Sequence, residues 1–172
     1  MFVLGVDPGL SRCGYCVLWV ERARTRAAAL GVIRTDPSSP VAVRLAELVV
    51  DMRSVLDEFP VDEVAVERVL FQVNVRTAMS VGQASGVVMA EAAGRGLPVT
   101  EYSPNEVKDA VAGFGGADKS QVQRMVQLLL DLDTLPDPPD AADAAAVALT
   151  HAARVASIRP PAATATLQGA QQ

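Results

Sequence analysis

Four carboxylates in this 172-residue chain, Asp7, Glu67, Asp140 and Asp143, have the type and placement to do chemistry together. Asp7 closes the apolar run Phe2-Val3-Leu4-Gly5-Val6, and Glu67 closes a second run over 61–66 in which polar and apolar residues alternate. Both runs are predicted strands, and a strand gives no propensity reason for an acid at its end. Asp7 also begins the turn Asp7-Pro8-Gly9, which by itself would account for it. Asp140 and Asp143 lie three apart at the start of a predicted helix, so their side chains share a face. Taken alone, that pair is explained by helix capping, since free first-turn N–H groups and the helix dipole favour Asp there. If the two strands are neighbours and the helix crosses their ends, all four acids meet. Acids so gathered repel one another unless a cation intervenes, and all-oxygen donors suit Mg²⁺ or Mn²⁺. Two such ions about 3.5–4 Å apart clamp the attacking and leaving oxygens of an in-line displacement at phosphorus.

The elements that must position these acids are legible in order. Cys13 to Val20 continues from the first run as a hairpin, and residues 27–35 form a third strand of the same meander. Apolar residues at Val41, Leu45, Leu48, Met52, Val55 and Phe59 predict an amphipathic helix stopped before Pro60. Residues 61–67 form the next strand, and a helix is expected over about 75–95. That helix carries small residues at Ala78, Gly82, Gly86, Ala90 and Gly94, which calls for close approach of another backbone, within the chain or across a dimer. A short strand over 97–102 precedes a helix capped by Ser103-Pro104 and broken at Gly113–Gly116. Asp118 to Asp131 is predicted amphipathic, with Val122, Met125, Val126, Leu129 and Leu130 on one face. An Ala-rich helix runs from Asp140 to about Val155. The domain is expected over 1–156, with a disordered tail over 157–172.

Composition narrows the field. The length allows one domain with a proper core. With half the residues hydrophobic, many of them Ala, and only 4% aromatic, an α/β fold is expected rather than a β-sandwich. The net charge of −5 means that nucleic-acid binding would have to rest on a local basic patch or on metal ions. No apolar run approaches membrane-spanning length and no charged leader opens the chain, so a cytoplasmic protein with no membrane partner is expected. Cys13 and Cys16 have C-x-x-C spacing but fall in a strand, where residues three apart point to opposite faces; neither redox nor metal chemistry is expected of them.

Five blocks in sequence carry a resemblance. Val3 to Ser11 (VLGVDPGLS), Val66-Glu67-Arg68-Val69 with Asn74 to Ala84 (NVRTAMSVGQA), Tyr102 to Lys108 (YSPNEVK), Ala117-Asp118-Lys119, and Asp140-Ala141-Ala142-Asp143 together resemble the RuvC family of Holliday junction resolvases, nearest to actinobacterial members. The match runs from about residue 2 to residue 154. It implies an RNase H-like α/β fold with a mixed five-stranded sheet, an antiparallel meander of three strands plus two parallel strands, flanked by helices. It also implies a homodimer that hydrolyses phosphodiesters with Mg²⁺, two ions per site with Mn²⁺ able to substitute, cutting a four-way DNA junction by paired symmetric nicks in recombination and repair. A RuvA–RuvB branch-migration complex is the implied partner. Asp7, Glu67, Asp140 and Asp143 match the family's catalytic, metal-binding carboxylates.

The remaining candidates each have two readings. Lys108 and Lys119, the only lysines, bracket the Gly113–Gly116 break. They are DNA-phosphate contacts near the site, as the resemblance implies, or solvated surface charges. Arg76 and Arg12 are further phosphate-contact candidates. Leu70 and Phe71 form an apolar pair beside Glu67, read either as a wedge against unpaired bases or as a plug in the core or dimer interface. Leu70 stands where the family more commonly has an aromatic, so stacking falls to Phe71. His151, two turns beyond Asp143, is an accessory site candidate or a structural histidine. Three rivals stand against the resolvase. An actin-like phosphotransferase needs a second domain that 172 residues cannot supply, and a non-catalytic junction binder would lack the carboxylates. Another RNase H-like nuclease, acting on RNA–DNA hybrids or other branched DNA, is not separated by carboxylates alone.

Overall fold

The computed structural model describes residues 1–21, 24–69 and 75–158, with side chains described throughout except at 75–77. Strands β1 (Phe2–Asp7), β2 (Arg12–Glu21) and β3 (Arg24–Arg34) form an antiparallel meander. Helix α1 (Val41–Glu58) crosses over to β4 (Glu63–Glu67), which lies parallel to β1. Helix α2 (Val75–Gly94) then crosses to β5 (Val99–Tyr102), parallel to β4. Helices α3 (Pro104–Ala112), α4 (Lys119–Leu129) and α5 (Pro139–Ile158) complete the chain. The sheet order is β3-β2-β1-β4-β5, the expected mixed sheet with β1 and β4 adjacent at its centre.

Strand alternation divides the core in two. Val3, Cys16, Leu18, Ala65 and Tyr102 pack against α3, α4 and α5. Leu4, Val6, Cys13, Val17, Val64 and Val66 pack against α1 and α2. Covered on both faces, β1 is apolar up to Asp7, and the Val64-Ala65-Val66 centre of β4 is an unbroken buried apolar run rather than the alternation expected. Cys13 and Cys16 fall in opposite layers, as their spacing requires. Burial pushes the Cys13 thiol up to about 12 and the Cys16 thiol higher still, so neither supplies a thiolate at neutral pH.

Helix α5 lies directly on the sheet because both partners are small. Ala141, Ala144, Ala145 and Ala148 are fully buried. Opposite them, a Cβ on Gly5 would stand 2.4 Å from the Ala144 carbonyl oxygen, and one on Gly14 would stand 2.0 Å from that of Asp140. Backbone thus rests on backbone, and the first turn of α5 is held over the ends of β1 and β2. Two capping boxes start the flanking helices, Ser103 with Glu106 on α3 and Asp118 with Gln121 on α4, and Gly113 closes α3 in the left-handed conformation.

Two of the helix faces differ from what the apolar pattern predicts, and a third is narrowed. Val41 is 45% exposed, and the buried place in the first turns of α1 belongs to Arg44, whose guanidinium is satisfied by hydroxyls of Thr35 and Ser11. On α4, Leu129 is 46% exposed and the inward residues are Val122 and Val126, since the helix ends there and Leu130 turns back into the core. On α2, Ala84, Val88 and Ala92 face the core, while a Cβ on Gly82, Gly86 or Gly94 would meet nothing within 4 Å. Among the described residues no backbone therefore lies against Gly82 and Gly86, which leaves the alternative of a second chain, whereas Ala78 of the same stripe is buried. Helix α5 runs to Ile158, past the expected boundary, and residues 159–172 of the expected tail lie outside the described residues. Among the described residues no helix is long and apolar enough to cross a membrane.

Candidate active site

Asp7 and Glu67 each follow the last pair of the parallel β1–β4 ladder, Val6 with Val66, and each is itself paired on its other side, Asp7 with Gly14 and Glu67 with Tyr102. Alternation turns both acids toward α5, on the face of Gly5 and Ala65. They are half-buried and hydrogen-bonded to each other. Burial raises the Asp7 carboxyl far above the ordinary carboxylate range. The negative charges of Glu67, Asp143 and Asp140 push it the same way. Burial also raises Glu67, although its bond from Asp7 and the charges of Lys119 and Lys108 work against that rise.

Asp140 and Asp143 occupy the first turn of α5, and each meets a cation from another element. Arg12, the first residue of β2, forms an ion pair with Asp140. Lys119, the first residue of α4, donates from Nζ to Asp143 Oδ2 at 2.6 Å. Partial burial disfavours the Lys119 charge, but the bond to Asp143 and the nearby carboxylates outweigh it, and the Lys119 pKa is raised. The loop before Arg12 is fastened from inside. Thr35 Oγ1 donates to the Leu10 carbonyl at 2.5 Å, and Arg44 donates from Nε to Thr35 Oγ1 at 2.9 Å and also to the Ser11 hydroxyl. Sequence reading missed Arg44, and its only signal is a cation on the inward face of α1.

Beside the acids, a pocket of about 250 Å³ opens between α3, α4 and α5. Glu67, Asp143, Lys108 and Lys119 stand around it, with Val107 and Val122 among its apolar walls. The donor set is all oxygen, partly buried and mutually repulsive, which fits a hard divalent cation. It is not a finished cage. Among the described residues no three acids, histidines or cysteines come together closely enough to hold one ion, so the four carboxylates are gathered but not fully converged. Asp140 and Asp143 point instead at their cations.

A family model described as crossover junction endodeoxyribonuclease RuvC matches residues 3–151. The chain belongs to the RuvC family. A relative from Brevibacillus brevis is 45% identical over 152 residues, covering 88% of this chain and 92% of the relative. An actinobacterial relative from Paenarthrobacter aurescens is 50% identical over 156 residues, 90% of this chain and 82% of its own. Both are crossover junction endodeoxyribonucleases RuvC by name. The structure of T. thermophilus RuvC in complex with Holliday junction substrate superposes with a TM-score of 0.86 at 38% identity, covering 91% of this chain and 96% of that one.

The other candidates separate clearly. Lys108 and Lys119 line one pocket with Glu67 and Asp143, and Arg12 is at Asp140. His151 is not brought to the carboxylates. It is 3% exposed, its Nδ1 lies 2.9 Å from the Tyr102 hydroxyl, and its Nε2 lies 2.8 Å from Glu63 at the opposite end of β4 from Glu67. The reason is the direction of α5, which runs back along the sheet, so that two turns of helix carry His151 away from the strand ends. Leu70 and Phe71 lie outside the described residues; Arg76 lies on α2 with its side chain outside them.

Proposed function

We propose that the chain is a structure-selective endonuclease that resolves four-way DNA junctions by paired symmetric nicks, with Asp7, Glu67, Asp140 and Asp143 as the catalytic carboxylates. The observation that carries this is their meeting at one sheet end, beside Lys108, Lys119 and Arg12, in a chain of the RuvC family. Mg²⁺, or Mn²⁺ in its place, would be held by the four acids and would supply charge neutralisation and an activated water for phosphodiester hydrolysis. Asp7 and Glu67, fixed at rigid strand ends, would hold the ion against which the reacting phosphate is oriented, and the proton that Asp7 carries would pass to solvent as the ion binds. Lys108 and Lys119 bind phosphate oxygens as compact charges, and Lys119 neutralises charge growing on the scissile group. Arg12 binds a flanking phosphate, and Arg76 is a weaker contact of the same kind. Leu70 and Phe71, on the connection after Glu67, form the wedge at the crossover.

Paired nicks need two sites, and a homodimer supplies them. The small-residue face of α2 is the surface we assign to it, supported by the open space over Gly82 and Gly86 and by Met79, 59% exposed on the same helix. A RuvA–RuvB complex completes this reading as the branch-migration partner.

The test is nicking of a labelled synthetic four-way junction in Mg²⁺ beside a linear duplex and an RNA–DNA hybrid. Paired cuts at symmetric positions on the junction alone are expected. Cutting of the hybrid in preference to the junction would assign the chain to another RNase H-like activity.

A further inference from the structure

The two acids on α5 are each occupied by a cation of the chain itself, and the two cations come from different elements. Arg12 reaches Asp140 from the start of β2, and Lys119 reaches Asp143 from the start of α4. In each pair the basic side chain is the exposed partner, 47% for Arg12 and 59% for Lys119, against 25% and 23% for the two acids. The cations therefore approach from the solvent side, where a DNA strand would lie, and close over carboxylates that are turned inward. This also accounts for the unfinished donor set, in which, among the described residues, no three ligands are grouped closely enough to hold one ion.

We propose that Arg12 and Lys119 are stand-in cations, holding the metal-binding oxygens of Asp140 and Asp143 until the phosphates of a bound DNA strand draw them away. This rests on the metal-dependent nuclease reading above. Ion pairs as exposed as these are weak, so they yield to a better partner. A phosphate diester is one: it offers the Arg12 guanidinium paired oxygens in matching geometry and gives Lys119 a full negative charge. Moving to phosphate, the two side chains leave Asp140 and Asp143 bare, and the donor set is completed by the arrival of substrate. DNA and metal then tighten each other's binding by the same factor, since coupling between two ligands is reciprocal. Without DNA the site resists a divalent ion.

Removing any nearby cation also makes the site more negative, so the proposal needs a control that separates contact from general charge. Lys108 provides it. It lines the same pocket and its charge acts on Glu67, but it does not sit on an α5 acid.

The experiment is an electron paramagnetic resonance titration of the full chain with Mn²⁺. It is run first without DNA, then with a four-way junction whose linkages at the cut positions are non-hydrolysable. Without DNA, Arg12→Ala and Lys119→Met should each bind Mn²⁺ about two- to fivefold tighter than wild type, the range set by exposed ion pairs. Lys108→Met should gain less than either. With the junction bound, the advantage of Arg12→Ala should disappear. Unchanged Mn²⁺ affinity in Arg12→Ala and Lys119→Met, or an equal gain in Lys108→Met, would overturn the proposal while leaving the nuclease reading intact. Failure of wild type to bind Mn²⁺ even on the junction would overturn both.

Discussion

The candidate active site brings together two unlike pairs of acids. Asp7 and Glu67 are strand-end residues, fixed by a parallel ladder and bonded to each other. Asp140 and Asp143 ride on a helix and are bonded to side chains from β2 and α4. Burial sets the chemistry of the first pair and ion pairing that of the second. The inner pair therefore suffers from its own repulsion and stores a proton, whereas the outer pair is already neutralised from outside. One site thus has a rigid half that is poor at staying charged and an adjustable half that is easily uncovered.

The comparison is broken most severely by losing the inner acids. Asp7→Asn or Glu67→Gln should lower junction cleavage by roughly a thousandfold or more, since metal-assisted charge stabilisation is worth several kcal/mol. Junction binding in a gel-shift assay should survive. Cleavage near the wild-type rate in either variant would remove the inner pair from catalysis.

Next comes the contact that carries the outer pair. Gly14→Val places atoms where the Asp140 carbonyl oxygen stands, 2.0 Å from the position of the first added carbon. Helix α5 must lift, at about 1–3 kcal/mol or more of stability, and cleavage should fall with it because Asp140 moves. A variant that melts with wild type and cuts at full rate would show that α5 has room to spare.

A third effect sharpens the difference in charge. Asp7 keeps its proton in the folded chain at pH values where an unfolded carboxyl, near about 4, has lost it. The folded state then holds more protons than the unfolded one, so this group's contribution to stability falls as pH rises above that point. In chelator, Asp7→Asn should melt above wild type, by about 2–4 °C for each kcal/mol relieved, and the gap should widen from acid toward neutral pH. Calorimetry checks it, and a wild type that melts higher at neutral pH would contradict the sign.

The smallest effect lies at the far end of β4. His151→Ala leaves the Tyr102 hydroxyl and Glu63 without their partner, at about 1–3 kcal/mol of stability. The Mg²⁺ concentration for half-maximal cleavage should not change. A shift in that concentration at a temperature where the variant is folded would return His151 to the site.

How much of this could be read from the chain depended on distance along it. Asp7 and Glu67 stood out because an acid ends an apolar strand against propensity, and the β1–β4 adjacency that unites them follows from the meander and crossover. The bonds of the outer pair were hidden, since Arg12 and Asp140 are 128 residues apart and no local pattern links them. Gly5 and Gly14 look like ordinary strand residues until α5 lies on them. His151 stayed open between two readings for a related reason: helical spacing gives its distance from Asp143 but not the direction in which the helix runs over the sheet, and its bonds to Tyr102 and Glu63 fit the structural histidine. Arg44 was missed because an apolar-periodicity reading of α1 passes over a cation whose hydroxyl partners lie on other elements.

That the four acids act as one metal site is tested most directly by counting Mn²⁺ on the protein–junction complex, again with non-hydrolysable linkages at the cut positions. Two ions per chain are expected in wild type, with at least one lost in Asp7→Asn. The same number of ions in Asp7→Asn as in wild type would contradict the assignment, because the residue at the centre of the site would then hold no metal.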